Sequence, residues 1–145
     1  MLAPPPLIYL VPLGLGLLLH RRYPLEAPGQ RVAAVVGLAF ILSAAVVLPA
    51  LLAFRRAATR PEPWRPATAL VTDGPYRLSR NPMYLGFTLL YLGIALRSGS
   101  LWPLLFLPLV LVTMHFGVIV REEAYLERRF GEAYREYRRR VKRWL

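Results

Sequence analysis

The chain has 145 residues, which bounds it to one domain, and 56% of them are hydrophobic. Mean hydropathy is +0.40, more than an ordinary soluble domain carries. Net charge is +11, from 19 Lys and Arg against 8 Asp and Glu. No basic stretch stands free of an apolar tract, so the charge reads as membrane-flanking loops and excludes a nucleic-acid partner. The absence of cysteine excludes disulfides, thiolate metal sites and cysteine nucleophiles.

Four uncharged tracts follow one another, at residues 2–19, 32–54, 82–96 and 101–120. A helix needs about 20 apolar residues to cross the hydrocarbon. The second and fourth tracts meet this; the first and third are marginal. The first has no Lys or Arg ahead of it and Arg21 and Arg22 directly after it, which predicts a retained span rather than a cleaved signal. Six basic residues lie between tracts two and three and nine follow tract four, against three between tracts one and two and one in the turn Arg97–Ser100. With four spans this asymmetry predicts both termini in the cytoplasm. The short turn makes spans three and four an antiparallel hairpin.

The segment 68–86 reads TALVTDGPYRLSRNPMYLG. Asp73-Gly74-Pro75 is turn chemistry. Asn81-Pro82 then supplies an N-cap and a first helical residue for span three, gathering Tyr76, Arg80, Asn81 and Tyr84 around the helix start. The local alternative is a capped helix with interfacial Tyr and Arg.

Glu122 and Glu123 follow directly on the fourth tract, whose one ionisable residue is His115. An α-helical continuation puts His115, Ile119 and Glu122 on one face, and an ionisable residue inside a span is a functional candidate. In the tail, Leu126, Phe130, Tyr134, Tyr137, Val141 and Trp144 recur at helical spacing opposite a face of arginines. This predicts an amphipathic cytosolic helix over 121–145, bent or divided at Gly131. It serves either as an interfacial anchor on anionic lipid or as a lid over a cytosolic pocket. With His20 and His115 on different spans, the histidines make no metal site.

GPYRLSRNPMYLG, an apolar hairpin, and REEAYLERRFGEAYREYRRRV resemble, in that order over residues 68–143, the isoprenylcysteine carboxyl methyltransferase family, grouped with the phospholipid methyltransferases. The resemblance implies S-adenosylmethionine as cofactor. It places the cofactor-binding residues at Thr68, Ala69, Leu70, Val71, Tyr76, Arg80, Asn81, Pro82, Met83, Tyr84 and Glu122. Asn81 stands where many members have His, and Val118 where the eukaryotic enzymes have a substrate-binding arginine. His115 or Glu123 is the expected catalytic base if the acceptor is an amine; a carboxylate acceptor needs none.

The expectation is therefore an all-α integral membrane bundle of about four transmembrane helices with a C-terminal amphipathic helix. It forms one domain in a bacterial-type inner or plasma membrane. The expected function is methyl transfer to a hydrophobic small molecule or lipid at the cytoplasmic face, with membrane lipids as surroundings and a homodimer compatible with the small unit. The alternative is a non-enzymatic membrane scaffold with an anionic-lipid-binding tail.

Overall fold

The structure is a computed structural model and describes residues 3–27 and 33–145. The ends of the first two expected spans, residue 2 and residue 32, lie outside the described residues. All regular structure among the described residues is helical: α1 (Pro5–Arg22), α2 (Ala33–Arg56), a short 3-10 turn (Gly74–Arg77), α3 (Pro82–Arg97), α4 (Leu101–Met114), α5 (Val120–Phe130) and α6 (Glu132–Arg140). A π-helical turn, His115–Ile119, joins α4 to α5, making one continuous helix Leu101–Phe130.

The boundaries have local causes. Pro82 occupies the first helical position of α3, where its missing N–H costs nothing. Gly131 divides the tail into α5 and α6 with φ +54° and ψ −123°, a backbone conformation that only glycine adopts without strain. The helix expected over 121–145 is thus divided at Gly131, one of the two outcomes expected there, and residues 141–145 lie beyond its second part.

Two helices, Ala33–Arg56 and Leu101–Phe130, are long and apolar enough to cross a membrane. The 16 residues of α3 span about 24 Å at 1.5 Å per residue, short of a hydrocarbon core of about 30 Å. Much of the apolar surface faces outward: Leu10, Val11 and Leu18 on α1, Leu38, Ile41 and Leu48 on α2, and Leu105, Leu109 and Phe116 along α4 and its π turn are all exposed. A belt of this extent on several helices suits lipid.

Helix α2 packs along α3, and α1 along α4. The hairpin helices α3 and α4 touch much less extensively than the sequence order implies. Small residues explain these partnerships. Gly86 of α3 leaves room for Val47 of α2, and Ser43 Oγ donates to the Gly86 carbonyl at 2.8 Å. Gly93, seven residues on, faces Phe40, and Gly16 of α1 faces the Pro103 ring of α4. Tyrosines tie the two pairs together. Tyr9 OH donates to the Tyr84 carbonyl at 3.1 Å, and Tyr91 OH to the Pro103 carbonyl at 2.8 Å.

The molecule consequently has two distinct ends. At one, the segment after α1 meets the α3–α4 turn: Ala27 N donates to Gly99 O and Leu101 N to Leu25 O, both at 2.8 Å. At the other, the long connection from α2 to α3 meets the tail: Arg80 N donates to Lys142 O at 2.9 Å and Ala67 N to Tyr125 OH at 3.1 Å. The loop before α3 and the paired glutamates after α4 therefore lie at the same end.

Candidate functional site

The site is built on the 3-10 turn. Gly74 takes φ +60°, and the turn sets Tyr76 against the end of α2, its ring edge-on to Phe54 with centroids 5.5 Å apart. Ala50, Ala53 and Val71 complete that packing. Helix α6 closes from the other side. Tyr134, Tyr137 and Val141 are buried with Leu70, Leu126 and Phe130, and Tyr137 OH donates to the Tyr76 carbonyl at 2.7 Å. Burial, then the nearby Glu122 and Tyr137, raises the Tyr76 phenol well above its ordinary range, so it stays neutral.

The tail beyond α6 lies along residues 79–81. Ser79 Oγ and Asn81 Nδ2 donate to the Arg143 carbonyl at 3.2 and 3.0 Å. The expected Asn81 side-chain cap is not made; its Nδ2 instead fastens the tail. Trp144 packs against the core cluster of α1, α3 and α4.

The paired glutamates have different environments. Glu123 is buried, and its carboxylate receives Arg143 in bidentate fashion, Nε at 2.9 Å and Nη2 at 2.7 Å. Arg80 Nη1 lies 3.3 Å away on its other side. The Arg143 guanidinium is raised by that carboxylate and stays charged. Glu122 lies just past the apolar stretch and receives the Tyr84 hydroxyl at 2.7 Å. Burial pushes the Glu122 carboxyl up to about 7, the Tyr84 hydrogen bond opposing and the Glu123 charge adding to the rise.

The π turn alters one sequence expectation. Inserting an extra residue per turn rotates everything after it, so Glu122 does not continue the face of His115. Glu123 does: His115 Nε2 lies 3.5 Å from Nη1 of the same Arg143 that Glu123 binds.

Between these parts runs a narrow cleft with an interior volume of about 70 Å³. Of the residues expected to bind a cofactor, Ala69, Leu70 and Val71 line it from the loop. Tyr76, Arg80, Asn81, Met83 and Tyr84 line it from the turn and the start of α3, and Glu122 from α5. Thr68 and Pro82 do not reach it; Thr68 instead braces the loop, its N donating to Thr59 Oγ1 and its Oγ1 to the Ala58 carbonyl. Of the two expected proton acceptors, Glu123 lines the cleft and His115 does not; the His115 ring lies edge-on to Phe116.

Among the cleft residues that the sequence reading did not single out is Glu62, while Tyr125, Tyr134 and Tyr137 come from the tail read as a possible lid. The signal for Glu62 was an acid fixed between Pro61 and Pro63 in an otherwise basic segment. A second cavity shares Pro63, Glu122 and Tyr125 with the cleft and is otherwise lined by Val118, Arg121, Ala124 and Arg128. Two buried polar atoms in the cleft wall, Glu62 Oε2 and Arg80 Nε, have no hydrogen-bond partner among the described residues. Aromatic and apolar walls with a few charged groups of both signs suit a ligand combining a flat ring with polar ends, as S-adenosylmethionine does. Among the described residues no cluster of three metal-ligating side chains occurs.

Comparison with known proteins agrees with this reading. The chain is 42% identical over 72 residues to the protein-S-isoprenylcysteine O-methyltransferase of Schizosaccharomyces pombe, covering 50% of this chain and 30% of that protein. It is also 38% identical over 63 residues to an uncharacterized protein of Haemophilus influenzae, covering 43% of this chain and all of that protein. The match to the yeast protein thus spans under a third of its length. No solved structure matches the chain. The phospholipid methyltransferase family profile matches residues 32–133, from the second apolar helix through the cleft-forming loop to the start of α6, and the chain belongs to that family.

Proposed function

We propose that the chain is an S-adenosylmethionine-dependent methyltransferase that acts on a hydrophobic or lipid-like acceptor at the cytoplasmic membrane face. The observation that carries this reading is the shared cleft of the Tyr76 turn, the start of α3, Glu122 and α6. Family membership supplies the reaction class. We read α1, α2, α3 and residues 101–120 as four spans of one domain, with both termini and the cleft on the cytoplasmic side. The tail helices α5 and α6, amphipathic in this reading, form the lid.

When bound, S-adenosylmethionine supplies an already activated methyl group, so the protein's task is largely positioning and exclusion of water. Tyr76 and Tyr84 offer neutral aromatic rings, which favour a neighbouring cation. Ala69, Leu70 and Val71 give the apolar wall, and Glu122 is the carboxylate at the junction of the cleft and the second cavity. That junction is where donor and acceptor sides meet in this reading. Glu123 is occupied by two guanidinium groups, and His115 stands behind the same knot. Proton removal from an amine acceptor by either residue would require that knot to open; Glu122 faces both cavities without such an opening. A carboxylate acceptor, such as the isoprenylcysteine in the yeast relative's name, would meet Arg121 or Arg128 of the second cavity in place of the arginine that Val118 replaces.

The test is isothermal titration of the purified protein with S-adenosylhomocysteine, followed by a labelled-methyl assay on fractionated native lipids and small isoprenoid acids, thiols and amines. Saturable binding, abolished or weakened at least tenfold by Glu122→Ala with Tyr84→Ala, is expected. Unimpaired binding by that double variant would remove the proposed cleft. No binding by the wild type would favour the scaffold reading.

A further inference from the structure

We infer that Glu62 and Arg80 form a charge clamp for the zwitterionic amino-acid end of the cofactor, with Glu62 receiving the ammonium group and Arg80 donating to the carboxylate. This rests on the cofactor reading above and assigns a binding residue, Glu62, outside the motif segments.

Both groups are incomplete as they stand. The Arg80 side chain is only 9% exposed. Its Nη1 serves Glu123 and Tyr134 OH, while its Nε is buried without a partner. Glu62 Oε2 is likewise buried and unpartnered among the described residues. A charged group left without a hydrogen bond in a protein wall is costly. Two such atoms of opposite sign in the wall of one cleft call for a guest carrying a donor cation and an acceptor anion together. An α-amino acid end carries this pair on one carbon, whereas a ribose or adenine presents neither charge.

The loop is made to hold Glu62 in place. Pro61 and Pro63 flank it and restrict its backbone, and Arg65 N donates to the Glu62 carbonyl at 3.0 Å. Arg60 and Arg65 also line the cleft, yet neither lies within ion-pair distance of the Glu62 carboxylate among the described residues, so it is not consumed by its basic neighbours. Arg80 is fixed from two sides by Glu123 and Tyr134 and cannot swing away to solvent. The clamp leaves Glu122 and Tyr84 for the part of the ligand nearer the second cavity, so the two glutamates have separate tasks.

The experiment compares two ligands of the full-length protein in detergent: S-adenosylhomocysteine and 5′-methylthioadenosine, which keeps the adenosine and thioether and lacks the amino-acid end. The wild type is expected to prefer S-adenosylhomocysteine. Glu62→Gln is expected to weaken it by about tenfold to a hundredfold, the worth of one or two charge-assisted hydrogen bonds, while methylthioadenosine binding stays unchanged and reports an intact cleft. An S-adenosylhomocysteine analogue without the amino group should bind the wild type and Glu62→Gln equally. Equal losses for both ligands, or no loss for either, would overturn the clamp while leaving the cofactor reading standing. Failure of the wild type to bind either ligand would overturn both.

Discussion

The adjacent acids Glu122 and Glu123 show how one residue step separates two kinds of chemistry. Glu122, lifted to about 7 chiefly by burial, changes charge in the physiological range. If its carboxylate form receives a donor from the cofactor, binding releases a proton. Affinity for S-adenosylhomocysteine should then rise with pH up to about 7 and level off above it, the dependence vanishing in Glu122→Gln. Ligand-free stability runs the other way. A folded-state value above the ordinary 4.5 means that the folded chain keeps a proton the unfolded chain has lost, so this group's contribution falls as pH rises from 4.5 to 7. Glu122→Gln should therefore raise the ligand-free melting temperature at pH 8 and leave it unchanged at pH 4. Glu123 is structural by comparison. Glu123→Ala strands the buried Arg80 and should cost about 3 kcal/mol, read by thermal unfolding in detergent. Arg143→Ala removes a partner that is 30% exposed and should cost clearly less.

At the level of elements, glycines decide which helix lies beside which. A methyl group on Gly86 would run into Val47 Cγ2 and come within 3.4 Å of the Ser43 carbonyl. Valine is stiff at χ1 in a helix, so Val47 cannot yield by rotating. Gly86→Ala should destabilise the α2–α3 pair by about 1–3 kcal/mol, and Val47→Ala in the same chain should recover part of the loss. The hinge behaves differently. Around Gly131 there is open space, but its φ of +54° with ψ −123° strains any side chain, so Gly131→Ala should cost about 1–3 kcal/mol and expose the α5–α6 junction to limited proteolysis. These contrasts mark what the sequence made legible. Pro82 and Gly131 announce a start and a break through their own backbone restrictions, and the apolar tracts give α2 and α3 to within a residue or two. Helix partnership was hidden, because spans apolar on every side carry no stripe to say which face is inside. The π turn was hidden as well: His115–Ile119 has no compositional mark, yet it moves the His115 face from Glu122 to Glu123. Glu62 was missed because its role depends on the cleft wall opposite the motif rather than on the motif itself.

For the whole molecule, the arrangement of charge bears on which face the cleft occupies and on whether the tail is a lipid anchor. Arg135, Arg138 and Arg139 of α6 pair with Glu127 or Glu132, and Arg140 with Glu136. The outward arginines of the tail are thus partly neutralised by its own acids, while its tyrosines are buried against the loop. An anchor would instead turn such residues to the membrane, so this arrangement favours the lid. Orientation can be tested directly because the native chain has no cysteine. Ser98→Cys reports the end that holds the α3–α4 turn, and Arg140→Cys the end that holds the cleft; both positions are exposed. In intact cells, a membrane-impermeant maleimide should label the first and spare the second until the membrane is opened. Labelling of both from outside, or of neither, would contradict a bundle whose α3–α4 turn and cleft lie on opposite membrane faces. The reversed pattern would put the cleft on the far side from cytosolic S-adenosylmethionine. The same Arg140→Cys label, read in opened membranes with and without S-adenosylhomocysteine, also tests the lid: the cleft is too narrow to admit a nucleoside unless the loop or the tail moves. Ligand should therefore change the labelling rate at Arg140→Cys and leave Ser98→Cys, at the far end, unaffected.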